Sequence, residues 1–274
     1  MQDSEIVHHT LAHPQVHSRW ISEFYDTEES ERFHESALDH ITSLLEPYGK
    51  SQVLDAGCGD GVHAIRLAQR GYPVLALDFS EHILERARAN INASELSERV
   101  EFRLGNLLEL PFADNSYDSV LCWGVLMHIP ELEKAISELA RIVRPGGLLI
   151  ISENNCWSVE AVLARIARRV LQAVGGGKRL ARLQMGPSGA EYWRLTEAGP
   201  LICREARVPW LIDKVTEHGF ILKERIAGEF IERHASIHPE FLRRCVQEFN
   251  LFWFRYVRLP QPAVGNLLVF EKRG

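Results

Sequence analysis

The sequence has few of the features that stabilise a secreted or membrane-spanning protein. Its 274 residues include only five cysteines, which are widely spaced and form no Cys-x-x-Cys pair. This argues against a disulfide framework and against a structural zinc site. No run approaches the roughly 18 apolar residues that cross a bilayer, and the N-terminus lacks a basic start followed by an apolar core. These absences predict a reduced, cytoplasmic protein.

The chain also lacks an excess of positive charge. It has 31 basic and 37 acidic residues, a net charge of −6, which disfavours a globally basic nucleic-acid binder. Hydrophobic residues make up 46 %, enough to form a core and to exclude disorder as the main state. The twelve histidines are scattered, and Pro239 disfavours helical chelation by His234 and His238. We therefore expect no nucleic-acid partner and no metal, in a monomer or homodimer.

Short apolar strands alternate with amphipathic helices through the first 155 residues. The pattern predicts strands at 52–56, 74–77, 100–104, 119–123 and 148–152. The strands are continuously apolar, which is typical of a mostly parallel sheet covered by helices on both faces. Beyond residue 155 we predict a long helix at 156–174, loops at 178–204, a helix at 205–218 and an aromatic helix at 239–257. Strands at 220–230 and 264–272 bring the sheet to seven strands. The fold class is α/β and doubly wound.

The strongest chemical signal is VLDAGCGDG, residues 53–61. A strand ends at Asp55 and is followed by Gly57, Gly59 and Gly61 before a helix. Glycines allow close backbone approach to a ligand and unusual backbone angles. Asp78 ends the next strand, where a carboxylate can bind the hydroxyls of a ribose. The pattern predicts a nucleotide site.

The identity of the nucleotide follows from two residues. A dinucleotide fingerprint of the form GxGxxG would need glycine at position 62, where the chain has Val62. Asp55 would repel a pyrophosphate and suits a cationic ligand instead. S-adenosylmethionine carries a sulfonium, an ammonium and a ribose. These features favour it over NAD or NADP, although an oxidoreductase remains an alternative hypothesis.

Four blocks in order resemble the class I S-adenosylmethionine-dependent methyltransferases, in the small-molecule branch called methyltransferase type 11. The resemblance covers about residues 52–153. The blocks are VLDAGCGDG (Val53–Gly61), LALDFS (Leu75–Ser80), GNLLELPFADNSYDSV (Gly105–Val120) and LMHIPELEKAISELARIVRPGGLLIISE (Leu126–Glu153). It implies a Rossmann-like fold and S-adenosylmethionine as cofactor.

The resemblance also implies a set of cofactor-contacting positions. They are Asp55, Gly57, Gly59, Asp78, Phe79, Asn106, Leu107, Cys122 and Trp123. Asp55 and the glycines would hold the methionine part, and Asp78 the ribose. From the residues alone, Asp55 could also bond only backbone amides, and Asp78 could serve only as a helix-start acid.

At the adenine, the resemblance places Phe79 against the ring and the Leu107 backbone beside it. The family usually has Asp where this chain has Asn106, whose amide oxygen can still accept from the adenine amino group. Cys122 and Trp123 would line the methionine end.

His128 is the candidate catalytic base, because it follows the fourth strand and imidazole titrates near neutrality. The alternative is that His128 only packs or bonds the loop. Glu153 and Asn154, at the end of the fifth strand, also point toward the acceptor side, or else simply cap the strand.

The expected organisation has four parts. An N-terminal helical lid occupies 1–47, the S-adenosylmethionine-binding core 48–155, a helical and loop insertion over the acceptor 156–204, and the C-terminal part of the core 205–274. The insertion and flanking segments are rich in aromatic residues, which suits a lid over an apolar acceptor. The aromatic helix could instead be a core or dimer helix.

The insertion is basic. Residues 156–183 contain six basic residues and one acid, a net charge of +5. The apolar positions fall on one helical face: Val159, Val162, Leu163, Ile166, Val170 and Val174. A basic amphipathic helix of this kind can lie on an anionic membrane or bind an anionic acceptor. The alternative is a lid helix whose outer face is solvated.

We therefore expect a methyltransferase acting on a small molecule, most readily at oxygen, in a natural product, sugar or lipid-linked precursor. Nitrogen or carbon acceptors and a non-catalytic binding module are the alternatives. A nucleic-acid methyltransferase is disfavoured, because Cys122-Trp123-Gly124-Val125 stands where Asn/Asp-Pro-Pro-aromatic would be required.

Overall fold

The computed structural model describes residues 3–20, 27–173, 183–232 and 237–274, without the side chains of 20 and 171–173. The helices are α1 (Asp3–Leu11), α2 (Pro14–Trp20), α3 (Glu28–Leu45), α4 (Val62–Gln69), α5 (Glu81–Ala93), α6 (Leu132–Ile142), α7 (Val159–Ala173), α8 (Val208–Glu217) and α9 (Glu240–Phe252). The strands are β1 (Val53–Ala56), β2 (Val74–Asp78), β3 (Val100–Leu104), β4 (Tyr117–Trp123), β5 (Val143–Asn154), β6 (Gln184–Met185), β7 (Gly189–Thr196), β8 (Gly199–Ala206), β9 (Phe220–Ala227) and β10 (Gly265–Lys272).

The main sheet has seven strands in the order β3-β2-β1-β4-β5-β10-β9. The first five are parallel, and β10 runs antiparallel to both of its neighbours. The predicted α/β doubly wound class is confirmed. The strand order reverses between β1 and β4, and such a switch point opens a crevice at the carboxyl ends of the strands.

Helices cover both faces of this sheet, and each face has its own core. On one face the apolar side of α6 packs with α8 against the sheet, burying Leu139 and Leu211. On the other face α3, α4 and α5 bury Leu38, Leu67 and Leu84. Strands β1 and β2 are buried along their whole length, which explains their uninterrupted apolar sequences.

The loops predicted at 178–204 are wrong for the described part of that range. Strands β6, β7 and β8 form a separate three-stranded antiparallel sheet, and β8 delays the start of α8 to Val208. Close pairing depends on Gly189, because a Cβ there would lie 2.1 Å from the Glu205 carbonyl oxygen. The insertion is therefore a helix followed by a small sheet.

The first helix packs on this small sheet. Val7 of α1 lies in a cluster with Leu201 and Ile202 of β8, and the Thr10 hydroxyl donates to the Pro200 carbonyl oxygen at 3.0 Å. The N-terminal segment, which we expect to contribute aromatic residues to a lid, also contains Trp20, Phe24 and Tyr25; Phe24, Tyr25 and the side chain of Trp20 lie outside the described residues.

The aromatic helix α9 packs on α3, and the ring of Phe254 just beyond it meets Phe33 at 5.3 Å between centroids. None of residues 239–257 lines the cavity described below, so α9 does not cover an acceptor there. No helix in the described ranges is both long and apolar enough to cross a membrane.

Candidate active site

A cavity of about 340 Å³ opens at the carboxyl ends of the parallel strands, a size typical of small-molecule sites. We call the part formed by the loops after β1, β2 and β3 the cofactor end. The acceptor end is the part formed by the turn after β4, the end of β5, strands β7 and β8, and residues 228–232. Helices α1 and α2 also contribute lining residues to the cavity.

The glycine turn forms the floor of the cofactor end. Gly57 has a φ of +85°, and a Cβ there would lie 2.6 Å from a side-chain carbon of Val125. The N–H groups of Gly57 and Cys58 both donate to the Leu77 carbonyl oxygen, at 2.8 and 2.9 Å. This turn therefore requires glycine and is locked to β2.

Asp55 lies behind this turn and is 1 % exposed, so it is not among the cavity-lining residues. Burial, aided by the charge of Asp78, raises the pKa of Asp55 to about 7, although the Ala64 N–H opposes this. The second carboxylate oxygen, Oδ2, has no hydrogen-bond partner among the described residues. The Asp55 carboxylate thus accepts a hydrogen bond from a backbone amide, as the alternative interpretation from the sequence proposed. Its other oxygen accepts none from the described residues.

Asp78 lines the cavity at the end of β2. Its two oxygens accept from the N–H groups of Gly59 and Ser80, each at 3.1 Å. Burial raises the pKa of Asp78 in spite of these bonds. The carboxylate is held in one orientation, with helix α5 beginning just beyond it.

Phe79, Asn106 and Leu107 also line the cofactor end. The ring of His8 from α1 stacks on Phe79 with 4.5 Å between centroids. The Asn106 amide oxygen, which we predicted to accept a hydrogen bond from the adenine amino group, accepts one from the Leu108 N–H at 2.9 Å. Since a carbonyl oxygen has two lone pairs, this bond leaves it able to accept once more.

The two residues predicted to line the methionine end differ in placement. Trp123 lines the cavity, with its ring 4.6 Å from that of His63. Cys122 is fully buried in the core and is not a lining residue. Alternation along β4 turns these neighbours to opposite faces of the sheet, so a direct cofactor contact by the Cys122 side chain does not fit the structure.

Sequence reasoning missed the contribution of α2. His17 lines the cavity, and its Nε2–H donates to the Leu11 carbonyl oxygen at 2.8 Å. Arg86 of α5 binds the buried Asp60 carboxylate at 2.9 Å and also donates to the Pro14 carbonyl oxygen at 2.9 Å. These contacts fix α2 over the glycine turn. The N-terminal sequence contains no motif from which they could be predicted.

His128 lines the acceptor end and is buried. Its Nδ1 lies 2.7 Å from the Ile202 carbonyl oxygen, which can only accept, so Nδ1 carries the proton. In the neutral ring Nε2 is then the acceptor atom. Burial lowers the pKa of His128 to about 4, so the imidazole is neutral at pH 7.

Glu153 lines the same end and is only 3 % exposed. Within the part of the chain that the structure describes, its Oε1 has no hydrogen-bond partner. Burial raises the pKa of Glu153 to about 8, against the opposing effects of Arg204 and of backbone N–H groups after β4. Glu232 accepts from the Asn154 amide at 2.8 Å, and burial raises its pKa to about 7.

No group of three or more metal-ligating side chains suited to an ion occurs within the described ranges, and His234 lies outside them. The residues present do fit S-adenosylmethionine. A side chain at position 57 would collide with Val125, the cavity-lining Asp78 carboxylate is held in one orientation by Gly59 and Ser80, and Asp55 places a buried carboxylate behind the turn, where its charge favours a cationic ligand.

Comparison with known proteins agrees with this geometry. Residues 54–151 match the methyltransferase domain family. The chain is 33 % identical over 158 residues to a ubiquinone biosynthesis O-methyltransferase from Alkalilimnicola ehrlichii, covering 57 % of this chain and 59 % of that relative. It is 32 % identical over 162 residues to a 27-O-demethylrifamycin SV methyltransferase from Amycolatopsis mediterranei, covering 59 % and 58 %. The chain thus spans little more than half the length of each.

Among solved structures, magnesium protoporphyrin IX methyltransferase from Synechocystis, with S-adenosylhomocysteine bound, superposes with a TM-score of 0.61. The match covers 99 % of this chain and 100 % of that chain at 18 % identity, so it concerns the fold. The fold and glycine turn define a nucleotide-binding α/β domain. More particularly, residues 54–151 match the methyltransferase domain family, and the site fits S-adenosylmethionine as the cofactor of that domain.

Proposed function

We propose that this protein transfers a methyl group from S-adenosylmethionine to a hydroxyl oxygen of a small, largely apolar acceptor. One observation carries the proposal. A single cavity holds the glycine turn and Asp78 at one end, and His128 and the partner-free Oε1 of Glu153 at the other. The two reactants can therefore meet in one shielded space, and alignment is the main requirement of an in-line displacement.

The cofactor, when bound, supplies an electrophilic methyl group on a cationic sulfur. In the proposed arrangement Asp78 accepts from the ribose hydroxyls while its own oxygens stay fixed by Gly59 and Ser80. Asp55 stabilises the cationic amino acid part by its charge. The N-terminal helices exclude water, because α1 and α2 line the cavity directly above the turn.

At the acceptor end we assign the proton-accepting role to Glu153 in preference to His128. A general base works best when its pKa lies near the working pH. The pKa of Glu153, near 8, meets this condition, whereas that of His128, near 4, makes imidazole a weak base. His128 then serves to position the acceptor hydroxyl through Nε2.

Oxygen is the favoured acceptor atom because two relatives are named for O-methylation. A second candidate is methylation of an amine nitrogen. It is favoured by glutamates at the acceptor end, among them Glu153, Glu229 and Glu232, since their carboxylates, once deprotonated, attract an ammonium group.

The first test is calorimetric titration with S-adenosylhomocysteine and, separately, with NAD and NADP. Micromolar binding of S-adenosylhomocysteine alone, lost in Asp78→Ala, is the expected result. Labelled methyl transfer is then measured on a panel containing catechols, hydroxylated macrolactones and primary amines. Transfer only to amines would replace the oxygen proposal by the nitrogen one, and transfer to none, with intact cofactor binding, would favour a binding module.

The role of Glu153 has its own test on any acceptor found. Since the deprotonated carboxylate is the base, the wild-type rate should rise with pH up to about 8. Glu153→Gln should lower the rate about 100-fold and abolish that rise, with unchanged S-adenosylhomocysteine affinity. A rise complete by pH 5 that disappears in His128→Gln would instead identify His128 as the base.

A further inference from the structure

Helix α7 presents its apolar stripe to solvent. Val159, Leu163, Ile166 and Val170 follow the i, i+4, i+7, i+11 spacing of one helix face, and their exposed fractions lie between 44 % and 59 %. Trp157, just before the helix, is 58 % exposed. A surface helix normally turns such a stripe toward the core, so this orientation is the reverse of the usual one.

The opposite face of α7 is the one that packs on the protein. Ala161 is buried, and the Arg165 guanidinium lies inward, donating to the Cys156 carbonyl oxygen at 2.5 Å and to Glu205 at 3.4 Å. A lid helix with a solvated outer face would turn its polar side chains to solvent and its apolar side chains toward the protein. That alternative from the sequence does not fit the structure.

The start of α7 is anchored, so the helix cannot simply roll its stripe inward. The Ser158 hydroxyl caps the helix by accepting from the Ala161 N–H at 3.1 Å. The Val159 N–H donates to the Pro262 carbonyl oxygen at 3.0 Å, and the Cys156 N–H to Ala206 at 2.9 Å. The fold itself holds the apolar stripe outward.

We propose that the stripe of α7 docks on an anionic lipid surface. The stripe is flanked by the exposed Arg169, and α7 as a whole contains three arginines and one glutamate. An aromatic residue, an apolar stripe and basic flanks are the features of a helix lying in a membrane interface. A symmetric contact between two copies would bring the same basic flank against itself, which like-charge repulsion disfavours.

The docking surface adjoins the acceptor end of the cavity. The Glu160 carboxylate near the start of α7 accepts from the Glu232 N–H at 3.0 Å, and Glu232 lines the cavity. An acceptor dissolved in the lipid would therefore have a short route to the site. This last point rests on the proposed function, whereas the docking itself does not.

The test is sedimentation of the full chain with vesicles of phosphatidylcholine alone and of phosphatidylcholine with phosphatidylglycerol. We expect binding to the anionic vesicles to exceed binding to the neutral ones by about tenfold or more, and to weaken with added salt. Leu163→Glu and Ile166→Glu should each reduce it by about tenfold or more. The matched control is Leu195→Glu, an 82 % exposed leucine outside α7, which should bind like wild type.

Three results would overturn the proposal. The wild-type protein could fail to bind the vesicles, Leu163→Glu could bind them as well as wild type, or Leu195→Glu could lose as much vesicle binding as Leu163→Glu. A concentration-dependent dimer, measured by light scattering, that Leu163→Glu dissociates would also overturn it, since a second copy would then cover the stripe. S-adenosylhomocysteine titration of the same variants should be unchanged. Failure of docking is thereby distinguished from failure of the proposed reaction.

Discussion

The two ends of the cavity are built in different ways. Apart from His8 and His17 of the N-terminal helices, the cofactor end comes from one stretch of chain, in which loops follow consecutive parallel strands and backbone bonds lock the glycine turn. The acceptor end is assembled from distant segments, the turn at 126–128, strands β7 and β8, and residues 228–232. The first is a rigid part of the sheet, and the second depends on how added segments pack, as expected where a common fold acquires a particular specificity.

The largest effect should come from changing the rigid end. Gly57→Ala places a methyl group against Val125 at a positive φ, which should cost roughly 2–5 kcal/mol of unfolding free energy and abolish S-adenosylhomocysteine binding. Thermal unfolding and calorimetry measure both. Gly146→Ala is the control, since its φ is +78° with no atom within 4 Å. It should cost about 1 kcal/mol and leave binding intact; similar losses in both would mean that close approach at Gly57 is unimportant.

A smaller effect with a pH signature is expected at Asp55. Because the folded pKa of Asp55 is raised from 3.8 to about 7, the folded protein keeps a proton that the unfolded chain releases. Stability therefore falls as pH rises through this window. Asp55→Asn should stabilise the ligand-free protein at pH 8 by about 1–3 kcal/mol, with little gain at pH 4, and weaken cofactor binding roughly 10- to 100-fold.

Denaturant unfolding at pH 4 and pH 8 measures the change in stability, and calorimetry measures the change in cofactor affinity. Asp118→Asn is the control, because Asp118 pairs with Arg144 and does not line the cavity. It should show neither the stability gain nor the binding loss. Tighter cofactor binding in Asp55→Asn would contradict the electrostatic role.

The attachment of the N-terminal helices can be tested at Arg86. Arg86→Ala removes the bonds to Pro14 and leaves the Asp60 carboxylate, whose side chain is 2 % exposed, without its cation. We expect a loss of about 1–3 kcal/mol, faster amide exchange in residues 3–19, and several-fold weaker cofactor binding. Arg88→Ala, two residues along the same helix, removes an exposed pair with Glu81 and a cation–π contact with the Phe102 ring and should change stability by about 1 kcal/mol or less. Unchanged exchange in Arg86→Ala would mean that other contacts hold α2.

The smallest effect is expected at Asn106. Asn106→Asp keeps the oxygen that accepts from the Leu108 N–H, so the loop should be preserved. Cofactor affinity should change by less than about fivefold, or 1 kcal/mol. A change near 100-fold in calorimetry would show that this position determines adenine recognition.

Prediction from sequence succeeded where structure is local. The strands around Asp55 and Asp78 were predicted to within two residues, because uninterrupted apolar runs ending in glycine or acid have few alternative structures. It failed for β7 and β8, where Tyr192 and Cys203 come to line the cavity. These strands belong to the small sheet, in which β7 pairs with both β6 and β8, and their mixed polar sequence lacks a clear alternation.

The orientation of α7 shows the same limit. Its periodicity predicted the helix and the apolar face correctly, but periodicity does not say whether that face meets the core or solvent. Contacts of the opposite face with Glu205 and Pro262, distant in sequence, decide it.

The sequence by itself determined the α/β class, the glycine turn and the two acids at the ends of β1 and β2, because strand, turn and helix signals there lie within short stretches of chain. Only the tertiary structure decided that His8 and His17 reach the cofactor end, that Glu153 keeps a buried oxygen without a partner, and that Cys122 turns away from the cavity. The physical reason is that burial and hydrogen-bond satisfaction are properties of the packed chain. They depend on segments far apart in sequence, which no local pattern specifies.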